Sequence, residues 1–167
     1  MKKKTVTVLI IVILCTGLVS AQDYTAAPPQ SEGRKASGLI RFNALGTLLS
    51  LAYGTPSIEF SIVPFISRTA GIPITVSLAS VNGFLGIGIL SGINITPAPK
   101  NQNDGLFISI EAGGVFIAGY FIFAGVFDIG YQYISPKGFV FTPAGGFKYN
   151  EYTGFSLDLM LDIGFTF

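Results

Sequence analysis

Between Phe155 and Phe167 every second residue is apolar: Phe155, Leu157, Leu159, Leu161, Ile163, Phe165 and Phe167 stand on one parity, with Ser156, Asp158, Met160, Asp162, Gly164 and Thr166 on the other. That period is the period of a β-strand, whose successive side chains leave opposite faces; wound into a helix, the same residues would spread around the whole circumference. The pattern recurs upstream. Ile58, Phe60 and Ile62 oppose Glu59 and Ser61, and Ile72, Ile74, Val76 and Leu78 oppose Pro73, Thr75, Ser77 and Ala79. Leu85, Ile87, Ile89, Ile93 and Ile95 oppose Gly86, Gly88, Gly92 and Asn94, and Leu106, Ile108 and Ile110 oppose Phe107, Ser109 and Glu111. Phe121, Phe123, Phe127, Ile129, Tyr131 and Tyr133 then face away from Ala124, Asp128, Gly130 and Gln132, as Phe139, Phe141, Phe147 and Tyr149 do from Val140, Thr142, Ala144 and Lys148.

Changes in parity locate the turns. The apolar row passes from even to odd numbers across Asn82-Gly83, as a two-residue type I′ turn requires, since it pairs Val81 with Phe84 on one face. A second flip falls between Ile110 and Phe121. Gly113-Gly114 suits a turn there, but the following strand would then be about 20 residues and roughly 65 Å long, so the glycine pair can instead be a bulge with the turn near Gly119. The resulting expectation is eight strands, at 37–53, 56–66, 71–81, 84–95, 104–113, 117–134, 138–149 and 154–167. The first is the least regular: its alternation around Arg41 and Asn43 dissolves into Leu48-Leu49-Ser50-Leu51, with room for a bend at Gly46.

Composition narrows the environment. Half of the residues are hydrophobic, 11% are charged and the mean hydropathy is +0.61, against about 25% charged residues in an average soluble domain. Yet the longest apolar stretch after the N-terminus, Val115 to Phe127, is 13 residues, holds Gly119 and Gly125, and falls short of the roughly 20 that a spanning helix needs. A chain this apolar without spanning helices points to the other structure a bilayer permits, a closed β-barrel.

The N-terminus reads as an export signal. Lys2, Lys3 and Lys4 precede the uncharged run Val6 to Leu18, and Val19-Ser20-Ala21 offers small residues for cleavage after Ala21. Cys15 follows Leu14, where a lipoprotein acceptor wants a small residue, so it belongs to the signal. Domain expectations are therefore a cleaved signal peptide at 1–21, a flexible arm at 22–36 that is polar, aperiodic and contains Pro28-Pro29, and a barrel at 37–167. The mature chain would hold no cysteine and, with 7 Lys+Arg against 9 Asp+Glu, nothing to attract nucleic acid.

Seven charges fall inside the proposed strands: Arg41, Glu59, Glu111, Asp128, Lys148, Asp158 and Asp162. Each lies opposite its strand's apolar row. Alternation by itself does not say which face meets lipid, because a soluble barrel buries its apolar row inward. The row sizes decide the expectation: Ile, Leu and Phe dominate one face, Gly, Ala and Ser the other, and the charges are too few to cover a soluble exterior. The seven are therefore expected as a lumen charge network in which acids neutralise Arg41 and Lys148. Tyr53, Tyr131, Tyr133, Tyr149 and Tyr152 lie near strand ends, as interfacial girdle residues do.

A final strand that ends in phenylalanine after Leu159, Leu161, Ile163 and Phe165 resembles the C-terminal assembly signal of bacterial outer-membrane β-barrels. In size and pattern the chain resembles the OmpA/OmpX/OmpW-like members. The resemblance implies an all-β, single antiparallel up-and-down transmembrane barrel in the outer membrane, with outer-membrane lipid around it. It also implies delivery by periplasmic chaperones to the barrel-assembly machinery, with Phe167 as the terminal residue of the signal.

The barrel enzymes that modify lipids, cleave phospholipids or cut proteins resemble one another in using an active-site histidine, and this chain has none. Ser-His catalysis and histidine metal ligation are thereby removed. No catalytic, cofactor-binding or metal-binding residues are expected. The expected role is non-enzymatic, structural or at the surface. The alternatives are a narrow channel for small or apolar solutes, with Leu90, Ile122 and Val126 on its inner face, and a secreted soluble lipocalin-like binder. With both termini periplasmic, the connections after strands 1, 3, 5 and 7 face outward and all read as short. The longest connection, Thr96 to Asn103, then falls on the periplasmic side, unless a turn hidden at Gly46 inverts the barrel.

Overall fold

The computed structural model describes residues 36–81, 83–100 and 103–167, so the signal peptide and nearly all of the arm read from the sequence lie outside the described residues. Eight strands form one antiparallel up-and-down barrel: β1 (Gly38–Asn43), β2 (Ser57–Pro64), β3 (Ile74–Val81), β4 (Phe84–Ile95), β5 (Gly105–Ile117), β6 (Tyr120–Ile134), β7 (Phe139–Asn150) and β8 (Gly154–Thr166). Each pairs with its neighbours in sequence, and β1 with β8 closes the sheet. A two-residue segment, Ala70–Gly71, pairs with the end of β4 in the register that β3 continues. The break between them falls at Ile72-Pro73, where proline has no N–H to give to the ladder.

The stagger is readable from the register. A path across the strands from Ile40 passes through Ile62, Ile74, Ser91, Ala112, Gly125, Tyr149 and Phe155. The β1–β8 register sets Phe155 opposite position 50, ten residues beyond the start. Ten residues of shear over eight strands, at about 3.3 Å per residue and about 4.8 Å between strands, tilts the strands by roughly 40°. Such a barrel curves tightly. Gly92, Gly113, Gly146 and Gly164 all lie on its inner face, where a Cβ would run into the carbonyl of Ile110, Ile89, Phe127 or Ile40 on the adjacent strand.

Two stretches differ from the sequence expectation. β1 stops at Asn43, and Ala44–Ala52 forms a helix, α1, where a strand was predicted to run to residue 53. The Asn43 side chain accepts a hydrogen bond from the Gly46 N–H at 2.8 Å and caps the helix. Leu45, Leu48, Leu49 and Ala52 recur at helical rather than strand spacing. No strand-to-strand turn forms at Gly46, so the count stays at eight and the two ends of the barrel's chain lie at one end.

The second difference is in β5, which runs straight through Gly113-Gly114 to Ile117. It pairs residue for residue with both β4 and β6, so the glycines make neither a turn nor a bulge. Gly114 is instead covered by the ring of Phe121, which leaves no room for a side chain there. The turn is Ala118-Gly119, both with positive φ (51° and 84°), the type I′ signature. Across the other flip Val81 pairs with Phe84 and Gly83 has φ 83°; Asn82 lies outside the described residues.

Candidate functional site

The lumen carries all seven strand charges. In the tightest group Arg41 Nε lies 3.3 Å from Asp162 Oδ2, with both side chains 2% exposed, while the Arg41 guanidinium carbon sits 5.9 Å from the centre of the Phe107 ring. A hydroxyl relay leads to the next acid. Thr75 Oγ1 donates to Glu111 Oε2 at 2.6 Å, which commits its proton, so the 2.7 Å contact between Ser61 and Thr75 has Ser61 as donor. Ser109 Oγ donates to Glu111 Oε1 at 3.3 Å. Asp128 is buried beside this group and lines the same small space.

The second group lies nearer the helix end. Lys148 Nζ is 3.3 Å from both Glu59 Oε2 and Asp158 Oδ2, and Asn43 Nδ2 donates to Glu59 Oε1 at 3.3 Å. These charges are only half-buried. The structure thus brings Arg41 together with Asp162 and Lys148 together with Glu59 and Asp158. It leaves Glu111 on hydroxyl donors and Asp128 without an ion pair among the described residues. Two cations face five carboxylates.

Little space remains between them. The cavity lined by Arg41, Glu111, Asp128, Leu90, Val126 and Met160 holds about 10 Å³, the threshold for a single water molecule. Leu39, Val63 and Val140, with Phe65 and Ile134 against them, fill the end of the barrel where its first and last strands meet. Two connections fold over that end: Gln132 Nε2 donates to the Asn103 carbonyl at 2.6 Å, Asn103 Nδ2 to the Ser67 carbonyl at 3.1 Å, and Arg68 Nη2 to the Lys100 carbonyl at 3.2 Å.

The opposite end is built differently, because β1 stops short. From Gly154 to Leu161, β8 has no strand on its β1 side, and neither has β2 from Ser57 to Glu59. Helix α1 occupies this breach. Ser50 Oγ fastens it to β2 by accepting from the Ser57 N–H at 2.9 Å. Among the described residues no backbone hydrogen bond joins it to β8. Behind it lies a cleft of about 270 Å³, lined by Thr47, Leu49, Glu59, Lys148, Leu157 and Asp158, among others. The sequence reading missed this cleft, which exists only because α1 replaces the upper half of β1.

On the outside the polarity is reversed. From β4 to β8 the outward rows run Leu85–Ile95, Leu106–Phe116, Phe121–Tyr131, Phe139–Tyr149 and Phe155–Phe165, and none contains a charge. Ten residue steps at a tilt of roughly 40° stand about 25 Å tall. Ser91 is the one aliphatic hydroxyl in these rows, and it donates to the Pro73 carbonyl at 2.9 Å. Leu159, Leu161, Ile163, Phe165 and Phe167 all lie on this outer surface, with Phe165 edge-on to Phe139 at 5.8 Å. Phe167 accepts hydrogen bonds from the Ser37 and Gly38 N–H groups and so ties β8 to the start of β1.

Aromatic side chains gather at both rims. Tyr131, Tyr133, Phe139 and Phe165 mark one end, and Tyr53, Tyr149, Tyr152 and Phe155 the other, joined by Tyr120, which the sequence reading did not single out. Compared with known protein families, with curated proteins and with solved structures, the chain matches none.

Proposed function

We propose that this chain is an integral β-barrel of the bacterial outer membrane, surrounded by lipid and with a non-enzymatic structural or surface role. One observation carries the reading: the barrel is inside out relative to a soluble one. Its charges are in the lumen, and Ile, Leu and Phe cover a band about 25 Å tall between two aromatic rims, the dimensions of the apolar band of outer-membrane barrels. A soluble lipocalin-like binder would need the opposite arrangement, with its charges outside and an apolar cavity within.

The filled lumen also favours a plugged barrel over a conduit. Eight strands enclose a space that side chains can fill, and here the Arg41, Glu111 and Asp128 group leaves about 10 Å³ at the middle while the Leu39, Val63 and Val140 layer packs one end. The test is fractionation followed by gel migration. The protein is expected in the outer-membrane fraction and to run as a compact band that shifts on boiling. Recovery in the soluble fraction, with no heat-dependent shift, would refute the reading. In planar bilayers the purified barrel should give a flat conductance trace; regular open-channel steps would revive the conduit.

A further inference from the structure

We propose that the breach between β2 and β8 is a binding site for an amphiphile with a cationic head group, in its simplest form an alkylammonium, which reaches the barrel sideways from the lipid. The proposal rests on the membrane reading above, which supplies the direction of approach.

A closed barrel separates its charged lumen from its apolar exterior by a continuous wall. Here β8 lacks a strand partner on its β1 side along eight residues, α1 stands in that place, and the cleft of about 270 Å³ behind the helix joins the two environments. On its inner side stand Glu59, Asp158 and Lys148; on its outer side stand Leu157 and Leu159, with Leu49 of the helix beside them. Such a lining fits a molecule that is polar at one end and apolar at the other. It does not fit a hydrophilic solute, which would leave the leucines unused.

Charge selects the head group. Lys148 already shares its protons between Glu59 and Asp158, so the cleft carries one more negative than positive charge. A carboxylate has about four acceptor sites. Among the described residues Glu59 uses those taken by Asn43 and Lys148. An ammonium group finds acceptors there, whereas an anionic head group would have to compete with two carboxylates for Lys148. Thr47 adds a further polar contact: its Oγ1 is buried at the cleft without a hydrogen-bond partner among the described residues.

The site can be tested on the full barrel refolded into lipid nanodiscs, after the heat-dependent gel shift has shown that it is folded. That step reads the membrane proposal separately from the ligand proposal. Leucine-methyl NMR then follows titration with dodecylammonium, with dodecyl sulfate and dodecyl maltoside as anionic and neutral comparisons, all below micelle-forming concentration.

Dodecylammonium is expected to shift Leu49, Leu157 and Leu159 saturably while leaving Leu85, across the barrel at the same end, on a shallow linear drift. The double variant Glu59→Gln/Asp158→Asn removes both acceptor charges. It should weaken ammonium binding by about tenfold or more and turn the preference toward sulfate. Thr47→Trp fills the cleft without touching a charge and should abolish saturation, so the test survives if the double variant does not fold. Equal or tighter binding of dodecyl sulfate to the unaltered protein, equal shifts at Leu85 and Leu157, or saturation unaffected by Thr47→Trp would each overturn the assignment.

Discussion

The surplus of carboxylates in the lumen makes an asymmetric prediction about the fully buried ion pair of Arg41 and Asp162. Arg41 and Asp162 approach to 3.3 Å, a separation worth about 5 kcal/mol at an effective dielectric of about 20, before desolvation is subtracted. If only the pair mattered, deleting either partner would cost about the same. The two residues differ in what remains. Arg41→Met leaves Asp162 unpaired in a lumen that already holds Glu111 and Asp128. The expected loss is the full cost of a broken buried pair, about 3–5 kcal/mol. Asp162→Asn leaves Arg41 beside Glu111 and Asp128 and against the Phe107 ring. Its loss should be smaller, about 1.5–3 kcal/mol, the size of one hydrogen bond to a charged group. Both are measured by urea unfolding of the barrel in lipid vesicles, with the folded fraction read from the heat-dependent gel shift. The double variant Arg41→Met/Asp162→Asn should recover part of the Arg41→Met loss. Equal costs for the two single variants, or a larger one for Asp162→Asn, would refute the idea that carboxylate repulsion governs the lumen.

Three further variants test other parts of the structure. Ile110 is exposed at the middle of the outer band, and Ile110→Lys should cost about 2–4 kcal/mol in vesicles, where a soluble barrel would lose no more than about 0.5 kcal/mol by the same unfolding measurement. Phe107 is fully buried against Ala144 and Met160, so Phe107→Ala should destabilise by about 3–5 kcal/mol through the cavity it opens and lower the urea midpoint accordingly. Ala118 holds φ 51° in the β5–β6 turn; Ala118→Gly relieves that strain at some cost in chain entropy and should raise stability by about 0.5–1 kcal/mol in the same titration.

Faces were legible in the sequence because they follow from local geometry: once a segment is a strand, parity alone sets Asp128 and Phe127 on opposite sides. Turns were legible where parity and turn chemistry agreed, as around Gly83. They were less so where glycines competed. Gly113-Gly114 looked like a better turn than Ala118-Gly119, but these glycines serve packing, one against β4 and the other beneath Phe121. Helix α1 was hidden for a related reason. Nine residues rich in leucine satisfy a strand and a helix almost equally, and the deciding signals were the Asn43 cap and the spacing of Leu45, Leu48 and Leu49. That acids would neutralise Arg41 and Lys148 was legible, and Asp162 and Asp158 do so; the added pairing of Lys148 with Glu59 was not. Lys148 and Glu59 are 89 residues apart, and they meet only through the combined register of several strand pairs and the early end of β1.

The same helix decides what the barrel can present at that end. Because α1 joins β1 to β2 without adding a strand, the count stays at eight and the chain ends of the barrel share one side. Among the described residues the other side then carries α1, the Ala118-Gly119 turn, the short β3–β4 connection at Gly83 and the connection at 151–153. Three of these four features project little beyond the aromatic rim. The fourth brings exposed Leu48 and Leu51 to the same rim as Tyr53 and sits over the cleft that Glu59, Lys148 and Asp158 line. If the proposed surface role holds, it would be concentrated at the helix and the cleft behind it. Changes to the turns at Gly83 or Gly119 should alter stability without altering recognition, whereas Thr47→Trp should do the reverse, as the paired measurements of urea midpoint and dodecylammonium binding can check.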